Sequence, residues 1–281
     1  DNKVLRNEPL AEHTTFKIGG PARFYYEAEN TDSIVKAVKL AHKLHIKVFL
    51  LGGGSNLLIS DEGFKGLVIK VKNTHLEVRD SVVTVDAGMW LNTLVIETLV
   101  QGLSGMEPLS GIPGTIGGAV LGNAGAWGKA VGDLVKQVEV LAITRKSVRR
   151  RVMNKKELGF DYRDSALKQG DYVILKIQLK LKKEKGNLLP RFGEIIKERT
   201  GKHPLKYPNA GSIFKNLVYC EDLKGLQAFK CYDKVSVGKL IDDLGFKGKK
   251  IGGAQVSPQH ANFIVNTGQA KAVDVVELME E

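Results

Sequence analysis

Ser110-Gly111-Ile112-Pro113-Gly114-Thr115-Ile116-Gly117-Gly118 and, earlier in the chain, Leu50-Leu51-Gly52-Gly53-Gly54-Ser55-Asn56-Leu57 are the stretches that decide the fold. The 31 glycines of this 281-residue chain bunch at Gly19-Gly20, Gly52–Gly54 and Gly252-Gly253, and nine of them fall between positions 102 and 128. Glycine permits positive φ and lets a main chain approach a ligand with its N–H groups turned inward. Successive amides form a nest for anions, and pyrophosphate is a natural guest. One glycine pair reads as a turn; this density points to a cofactor site.

The two common phosphate loops do not fit. From Gly52 the dinucleotide fingerprint G-x-G-x-x-G requires glycine at 57, where Leu57 stands. Gly128-Lys129 is followed by Ala130, which lacks the hydroxyl a P-loop gives to magnesium, and Asn123 occupies the place of that motif's first glycine. A flavin dinucleotide, whose pyrophosphate and ring need separated contact segments, suits two glycine stretches better than either motif.

Working outward, the chain is about two domains long and 43 % hydrophobic with 26 % charged residues, which excludes a disordered chain. No apolar run reaches the roughly 18–20 residues of a membrane span. Cys220 and Cys231 cannot staple a chain of this size, so a cytoplasmic location is expected. The six histidines include no H-E-x-x-H pair and the two cysteines have no second pair beside them, so no metal is expected. The net charge of +11 invites a nucleic-acid reading. The lysines and arginines are scattered, however, with clusters only at Arg145–Arg151 and Lys180–Lys185, and a solvated surface explains them better. We expect no nucleic-acid partner and a monomer.

Hydrophobic periodicity predicts a strand at Phe24–Ala28 and a helix capped by Asn30 or Thr31 that carries Ile34, Val38, Ala41 and His45 on one face. A buried strand at Val48–Leu51 leads into the first glycine stretch. Strands at Leu67–Lys72, Leu76–Arg79 and Val82–Ala87 precede a helix at Leu91–Gln101. After the glycine-dense window come strands at Val135–Thr144, Val148–Met153 and Val173–Leu181, then a polar linker at Lys182–Asn187. Beyond it we expect helices at Leu189–Arg199 and Val237–Leu244, strands at Ile251–Val256 and Phe263–Asn266, and a last amphipathic helix carrying Val273, Val276 and Leu278. Strands and helices mix without strict alternation, which makes the fold class α+β rather than a doubly wound sheet.

These motifs, in this order, carry a family resemblance. Thr14-Thr15-Phe16-Lys17-Ile18-Gly19-Gly20-Pro21-Ala22, the two glycine stretches and Gly102-Leu103-Ser104-Gly105-Met106-Glu107 come first. Asn123-Ala124-Gly125-Ala126-Trp127-Gly128, Tyr162-Arg163-Asp164-Ser165 and Ala210-Gly211-Ser212-Ile213-Phe214-Lys215-Asn216 follow, and Gly252–Ser257 with His260–Asn266 closes the set. Over nearly its whole length the chain resembles the UDP-N-acetylenolpyruvylglucosamine reductase family, flavoenzymes that make UDP-N-acetylmuramate for peptidoglycan. The resemblance implies an FAD-binding fold of the vanillyl-alcohol-oxidase-like type, with subdomains at 1–66 and 67–182, and an α+β substrate-binding domain at 187–281. It implies non-covalent FAD, NADPH as co-substrate and a UDP-sugar substrate. NADPH reduces the flavin, and the enolpyruvyl group then takes hydride at its vinyl carbon and a proton at the carbon bearing the carboxylate.

The resemblance also assigns residues. Gly52, Gly53, Gly54, Ser55, Asn56, Leu57, Gly111, Ile112, Pro113, Thr115, Gly117, Gly118, Asn123, Gly125 and Ala126 would contact FAD. Arg163 matches the arginine that steadies charge developing on the substrate carboxylate, a role its planar fork suits. Ser212 matches the serine proton donor; a serine is a poor acid alone, and Lys215 is a candidate helper by proximity in sequence. Asn216 matches a uracil contact and Lys202 a diphosphate contact, and Lys215 and Gln259 complete the substrate set.

Two departures stand out. The 48 residues between Arg163 and Ser212 are too few for the substrate-covering loop with a tyrosine that marks the family's longer form, so the short form is expected. The family's third catalytic residue, a glutamate in a Leu-Glu-Pro-Glu-Val-like C-terminal strand, has no counterpart before Glu281, and Glu277 belongs to the last helix pattern. We therefore expect a missing tail and impaired turnover. Two other readings remain open, a related flavin oxidase of a small alcohol or hydroxy acid and a basic nucleotide-binding module without catalysis.

Overall fold

Along Tyr172–Lys180 buried and half-buried side chains alternate, with Val173, Leu175, Ile177 and Leu179 all turned inward. That period of two is what a strand covered on one face requires. The strand is the centre of a five-stranded antiparallel sheet in the order Val148–Asn154, Val135–Ile143, Tyr172–Lys180, Val82–Asp86, Leu76–Arg79. Ile177 faces Val85 across one ladder and Val138 across the other. A second sheet runs Leu5–Pro9, Pro21–Ala28, Phe64–Val71, Val48–Leu51, and its last two ladders are parallel. Its Leu67-Val68-Ile69 run is continuous rather than alternating, as expected for a parallel strand covered on both faces.

The computed structural model describes residues 3–231 and 233–281. Both sheets belong to a unit formed by residues up to Glu8, Ala22–Gly53 and Phe64–Glu198. The other unit comprises Pro9–Pro21, Gly54–Gly63 and Arg199–Glu281. In the first unit one apolar core unites Ile34 and Val38 of helix Thr31–Lys43, Leu91, Leu94 and Val95 of helix Leu91–Val100, and the inward face of the five-stranded sheet. In the second unit Phe16 and Ile18 pack with Ala254, Val256, Ile264, Val275 and Leu278. There Asn209–Ser212, Phe263–Asn266, Ala254–Val256 and Lys250–Ile251 form a four-stranded sheet in that order. The mixed elements agree with the α+β expectation.

Most expected elements are present, and the differences have physical causes. Helix Thr31–Lys43 starts at a capping box in which Asn30 Oδ1 accepts from Ser33 N at 2.9 Å. It ends before His45, which adopts a φ of 55° and turns the chain rather than extending the buried face. Lys182-Lys183 is not linker: it pairs with Leu103-Ser104, and Glu184 N donates to the Gly102 carbonyl at 2.9 Å. The expected strand Ile251–Val256 is interrupted at Gly252-Gly253, where a φ of 51° at Gly252 folds it into a hairpin. The last helix, Ala272–Glu280, buries Ala272, Val275 and Leu278 and leaves Val273 and Val276 exposed. The packed face is set by the spacing Ala272, Val275, Leu278, and Val273 and Val276 fall beside it.

One buried polar side chain ties three parts of the first unit together. Asn73 is fully buried; its Nδ2 donates to Thr31 Oγ1 at 3.1 Å and to the Leu175 carbonyl at 3.3 Å, while its Oδ1 accepts from Gly88 N at 3.1 Å. Removing it leaves a buried amide without an acceptor. The substitution Asn73→Ala is expected to lower stability by about 1–3 kcal/mol, read as a shift of the urea midpoint at constant slope.

Candidate functional site

The two glycine stretches meet, main chain on main chain, within the first unit. A Cβ on Gly53 would lie 2.6 Å from Gly114 Cα and 3.0 Å from the Trp90 ring, and a Cβ on Gly52 would lie 2.6 Å from Thr115 Oγ1. No side chain fits there without displacing backbone. Thr115 accepts from Gly118 N at 3.4 Å and so caps a short helix, Ile116–Leu121, that the glycine pattern had hidden. The strand end before it supplies further partners: Ile116 N donates to Met89 O and Gly117 N to Ala87 O, both at 2.9 Å. Gly111 N donates to Asn92 Oδ1 at 2.7 Å, and Ile112 N to Leu109 O at 3.2 Å. These amides hold the loop's own shape, so it is not an open nest along its whole length. Beside it the Ser110 hydroxyl is fully buried and, among the described residues, without a hydrogen-bond partner.

The Asn123 and Arg163 motifs, distant in sequence, are joined in space. Asn123 Oδ1 accepts from Gly132 N at 3.0 Å and its Nδ2 donates to the Asp161 carbonyl at 2.7 Å. Arg163 Nη2 donates to the Gly125 carbonyl at 2.8 Å, and Ser165 Oγ to the Leu121 carbonyl at 2.8 Å. Arg163 sits at the tip of a tight turn in which Asp161 and Asp164 exchange backbone hydrogen bonds at 3.1 Å each, and its φ is 56°. A long non-glycine side chain in that region is strained, and such strain is found where surroundings over-determine a functional residue. Asp164 lies 3.8 Å from Lys168, while the half-buried guanidinium of Arg163 goes to the glycine segment.

Ser212 belongs to the second unit, as do Gly54, Ser55, Asn56, Leu57, Lys202, Lys215, Asn216 and Gln259. Gly54 is packed on His13 and Thr14, and its carbonyl accepts from Thr15 N at 3.1 Å. Ser212 ends the strand Asn209–Ser212, which pairs Asn209 with Val265 and Ser212 with Phe263 across a register irregularity. Gly211, at a φ of 81°, turns the exposed Ser212 out of line with the ladder. Thr15 Oγ1 donates to the Asn209 carbonyl at 2.7 Å and holds the strand's other edge. Asn216 Oδ1 accepts from Val237 N at 3.2 Å, at the start of helix Val237–Asp243. Gln259 Nε2 donates to the Gly201 carbonyl at 3.0 Å, which brings it beside Lys202. Lys215 and Lys202 are exposed.

Sequence reasoning assigned no role to Asn262, His260 or His203, though the first two lie in a motif it quoted. Asn262 brackets the backbone of Phe214, accepting from its N at 3.0 Å and donating to its carbonyl at 2.9 Å. His203 and His260 stack with centroids 5.8 Å apart, and both pack on Phe263. Burial, with Arg199 and His260 nearby, pulls the His203 imidazole from 6.5 down to about 4, and burial likewise lowers His260. Among the described residues no group of three or more His, Cys, Asp and Glu could hold a metal ion, and no helix is long and apolar enough to cross a membrane.

With this geometry in view, known proteins supply the context. The FAD binding domain profile matches residues 22–145, and the chain shares a fold with a solved oxidase: the structure of a cholesterol oxidase mutant from Brevibacterium sterolicum superimposes at a TM-score of 0.52 over 65 % of this chain and 38 % of its own, at 14 % identity. The class is therefore that of FAD-binding-fold proteins of the vanillyl-alcohol-oxidase-like type. The profile of the UDP-N-acetylenolpyruvoylglucosamine reductase C-terminal domain matches residues 203–281. The reductase of that name from Carboxydothermus hydrogenoformans is 39 % identical over 99 % of this chain and 87 % of its own length, and that from Caldanaerobacter subterraneus subsp. tengcongensis 37 % identical over 100 % and 87 %. The crystal structure of the reductase from Thermus caldophilus matches at a TM-score of 0.80 and 35 % identity, covering 100 % of this chain and 93 % of its own. The chain belongs to the UDP-N-acetylenolpyruvoylglucosamine reductase family.

The histidine stack sets a pH dependence for the second unit. Folding disfavours the His203 imidazolium, so the unfolded chain binds the extra proton between pH 6.5 and about 4. The stability this group contributes is present above its unfolded value and is lost as pH falls through that window. Thermal unfolding is expected to move to lower temperature as pH drops from 7 to 4.5, with a shallower slope in His203→Phe; equal slopes in the two proteins would refute the assignment.

Proposed function

We propose that this chain catalyses the NADPH-dependent reduction of UDP-N-acetylglucosamine enolpyruvate to UDP-N-acetylmuramate through FAD, in the supply of peptidoglycan precursor. The observation that carries the proposal is a reductase match over the whole chain, with both the FAD-binding and the reductase C-terminal profiles inside it. The residues present fit a flavin dinucleotide. Gly52-Gly53 and Gly114-Thr115 bring two glycine-rich main-chain segments together, and among the described residues the buried Ser110 hydroxyl lacks a partner that a polar ligand atom would supply. In this proposal FAD is held by Gly52–Leu57, by Gly111, Ile112, Pro113, Thr115, Gly117 and Gly118, and by Asn123, Gly125 and Ala126. When bound, the flavin supplies hydride transfer, taken from NADPH and delivered to the vinyl carbon of the substrate.

The chain's own residues supply the rest. Arg163 binds the substrate carboxylate and stabilises the negative charge that grows there as hydride adds, a preorganised cation of the kind that usually contributes most to such a step. Ser212 gives its hydroxyl proton to the carbon bearing the carboxylate. Lys202 and Gln259, neighbours through Gly201, suit the diphosphate end of the substrate, and Lys215 and Asn216 follow Ser212 toward the uridine. The functional division is 1–66 and 67–182 for FAD and 187–281 for substrate; the compact units cross it at Pro9–Pro21, at Gly54–Gly63 and at 187–198. A cytoplasmic monomer without nucleic-acid partners completes the proposal.

The purified protein, given FAD, is expected to be yellow, to bleach anaerobically with NADPH, and to regain its colour on adding the enolpyruvyl sugar nucleotide. A colourless protein after FAD addition would overturn the proposal. In stopped flow, Ser212→Ala is expected to slow the recolouring step by roughly 10²–10⁴-fold, and Arg163→Met by about 10²–10³-fold. Recolouring at the unsubstituted rate in either variant would remove that residue from its role.

A further inference from the structure

Asn262 is 5 % exposed and carries no charge, yet both ends of its side-chain amide are committed to one peptide segment. Its Oδ1 accepts from Phe214 N at 3.0 Å and its Nδ2 donates to Phe214 O at 2.9 Å. Its own carbonyl accepts from Ile213 N at 2.9 Å. The neighbouring ladder pairs Ser212 with Phe263, the next residue along from Asn262. Ser212 stands just beyond Gly211, whose φ of 81° lets the strand depart from its ladder, so the main chain on the other side of the serine must be held by something other than a regular sheet. We propose that Asn262 is a positioning residue for the reaction: it fixes Ile213-Phe214 and thereby the direction in which the Ser212 hydroxyl is offered to substrate. The proposal rests on the assignment of Ser212 as proton donor.

The local chemistry favours an amide there. A carboxamide presents one acceptor and one donor in a plane, the complement of a peptide's N–H and C=O. Apolar residues of equal size would leave both Phe214 groups without partners, and a carboxylate could satisfy only the N–H. The backbone of Asn262 is itself held, its N–H donating to His260 Nδ1 at 3.2 Å while His260 N donates to Ser257 Oγ at 3.3 Å. That arrangement requires the neutral imidazole with Nδ1 as acceptor. His260, bonded to Asn262 N, stacks on His203 and feels the charges of Lys247 and Asp242, which pair with each other at 2.6 Å, while Glu281, which pairs with Lys249 at 2.7 Å, lines the same cavity as Asn262. Displacing a proton donor by about an ångström can cost on the order of 10²-fold in rate.

Two variants and two readouts test this. Asn262→Ala is expected to speed hydrogen exchange of the Phe214 amide at least about tenfold (the loss of one protecting bond worth ~1.4 kcal/mol), while the Val256 and Val265 amides elsewhere in the same sheet keep their rates. In the flavin-loaded enzyme the recolouring rate is expected to fall about 10²-fold. Asn262→Asp supplies the discriminating result: its protonated carboxyl again offers one donor and one acceptor, so its rate relative to the unsubstituted enzyme is expected to climb as pH falls, whereas the Asn262→Ala ratio stays flat. Identical pH-independent ratios for the two variants, or a recolouring rate unaffected by Asn262→Ala, would overturn the positioning role. If the unsubstituted enzyme never recolours with the enolpyruvyl sugar nucleotide, the functional assignment fails instead. An unaltered Phe214 exchange rate in Asn262→Ala refutes the clamp whatever the reaction.

Discussion

The approach of Gly53 to Gly114, in which even one methyl group would overlap backbone, is the constraint on which the first unit's site depends. Because the two loops touch directly, Thr115 is placed to meet Gly52 and to cap Ile116–Leu121. That helix draws the carbonyls of Ala87 and Met89 onto its first amides, and Gly122 and Asn123 follow directly at its end. Asn123 then reaches Asp161, and the turn it anchors presents Arg163. A route thus runs from a glycine contact to the Arg163 guanidinium through main-chain hydrogen bonds and one amide side chain, with no long flexible residue in it.

The second unit reaches the same rigidity by different means. Asparagine side chains substitute for missing strand partners. Asn209 bonds to Gly211 N and Tyr207 O, Asn216 to Val237 N, Asn262 to both sides of Phe214, and Asn266 to Phe16 O, Gly268 N and Ala270 N. Each amide is short enough to have few rotamers and carries the donor and acceptor that an unpaired peptide needs. Short strands of two to four residues can therefore carry exposed polar side chains such as Ser212 and Lys250, even where the ladder is irregular between Asn209 and Ser212.

What was legible in the sequence follows from how local each signal is. Tyr172–Lys180 alternates by itself, and Asn30 caps through a residue three positions away, so both could be read without knowing the fold. Ile116–Leu121 could not: two glycines in six residues give it almost no intrinsic helix preference, and only the Thr115 cap and the Ala87–Met89 carbonyls hold it. Lys182-Lys183 is polar and carries no strand pattern, and its pairing with Leu103-Ser104 is purely tertiary. At the site, glycine clustering pointed to a cofactor loop from the residues alone, whereas Ser212 and Arg163 came only through resemblance. Asn262 was invisible as a functional residue because a carboxamide acquires its meaning from the peptide it faces, here one forty-eight positions earlier.

Both residues assigned to the chemistry sit where regular structure is deliberately broken. Arg163 has a φ of 56°, and Ser212 follows Gly211 at 81° across an irregular register. The left-handed φ at Arg163 costs free energy and persists only if its surroundings over-determine it, whereas Gly211 adopts its φ at little steric cost. At Arg163 the over-determination is the Asp161–Asp164 exchange together with Asn123 and Gly125; at Ser212 it is Thr15 on one side of the strand and Asn262 on the other. A regular strand or helix would point each side chain along its own repeat. Breaking the repeat at one residue, and fixing both flanks by hydrogen bonds, lets a side chain be aimed independently of the element that carries it.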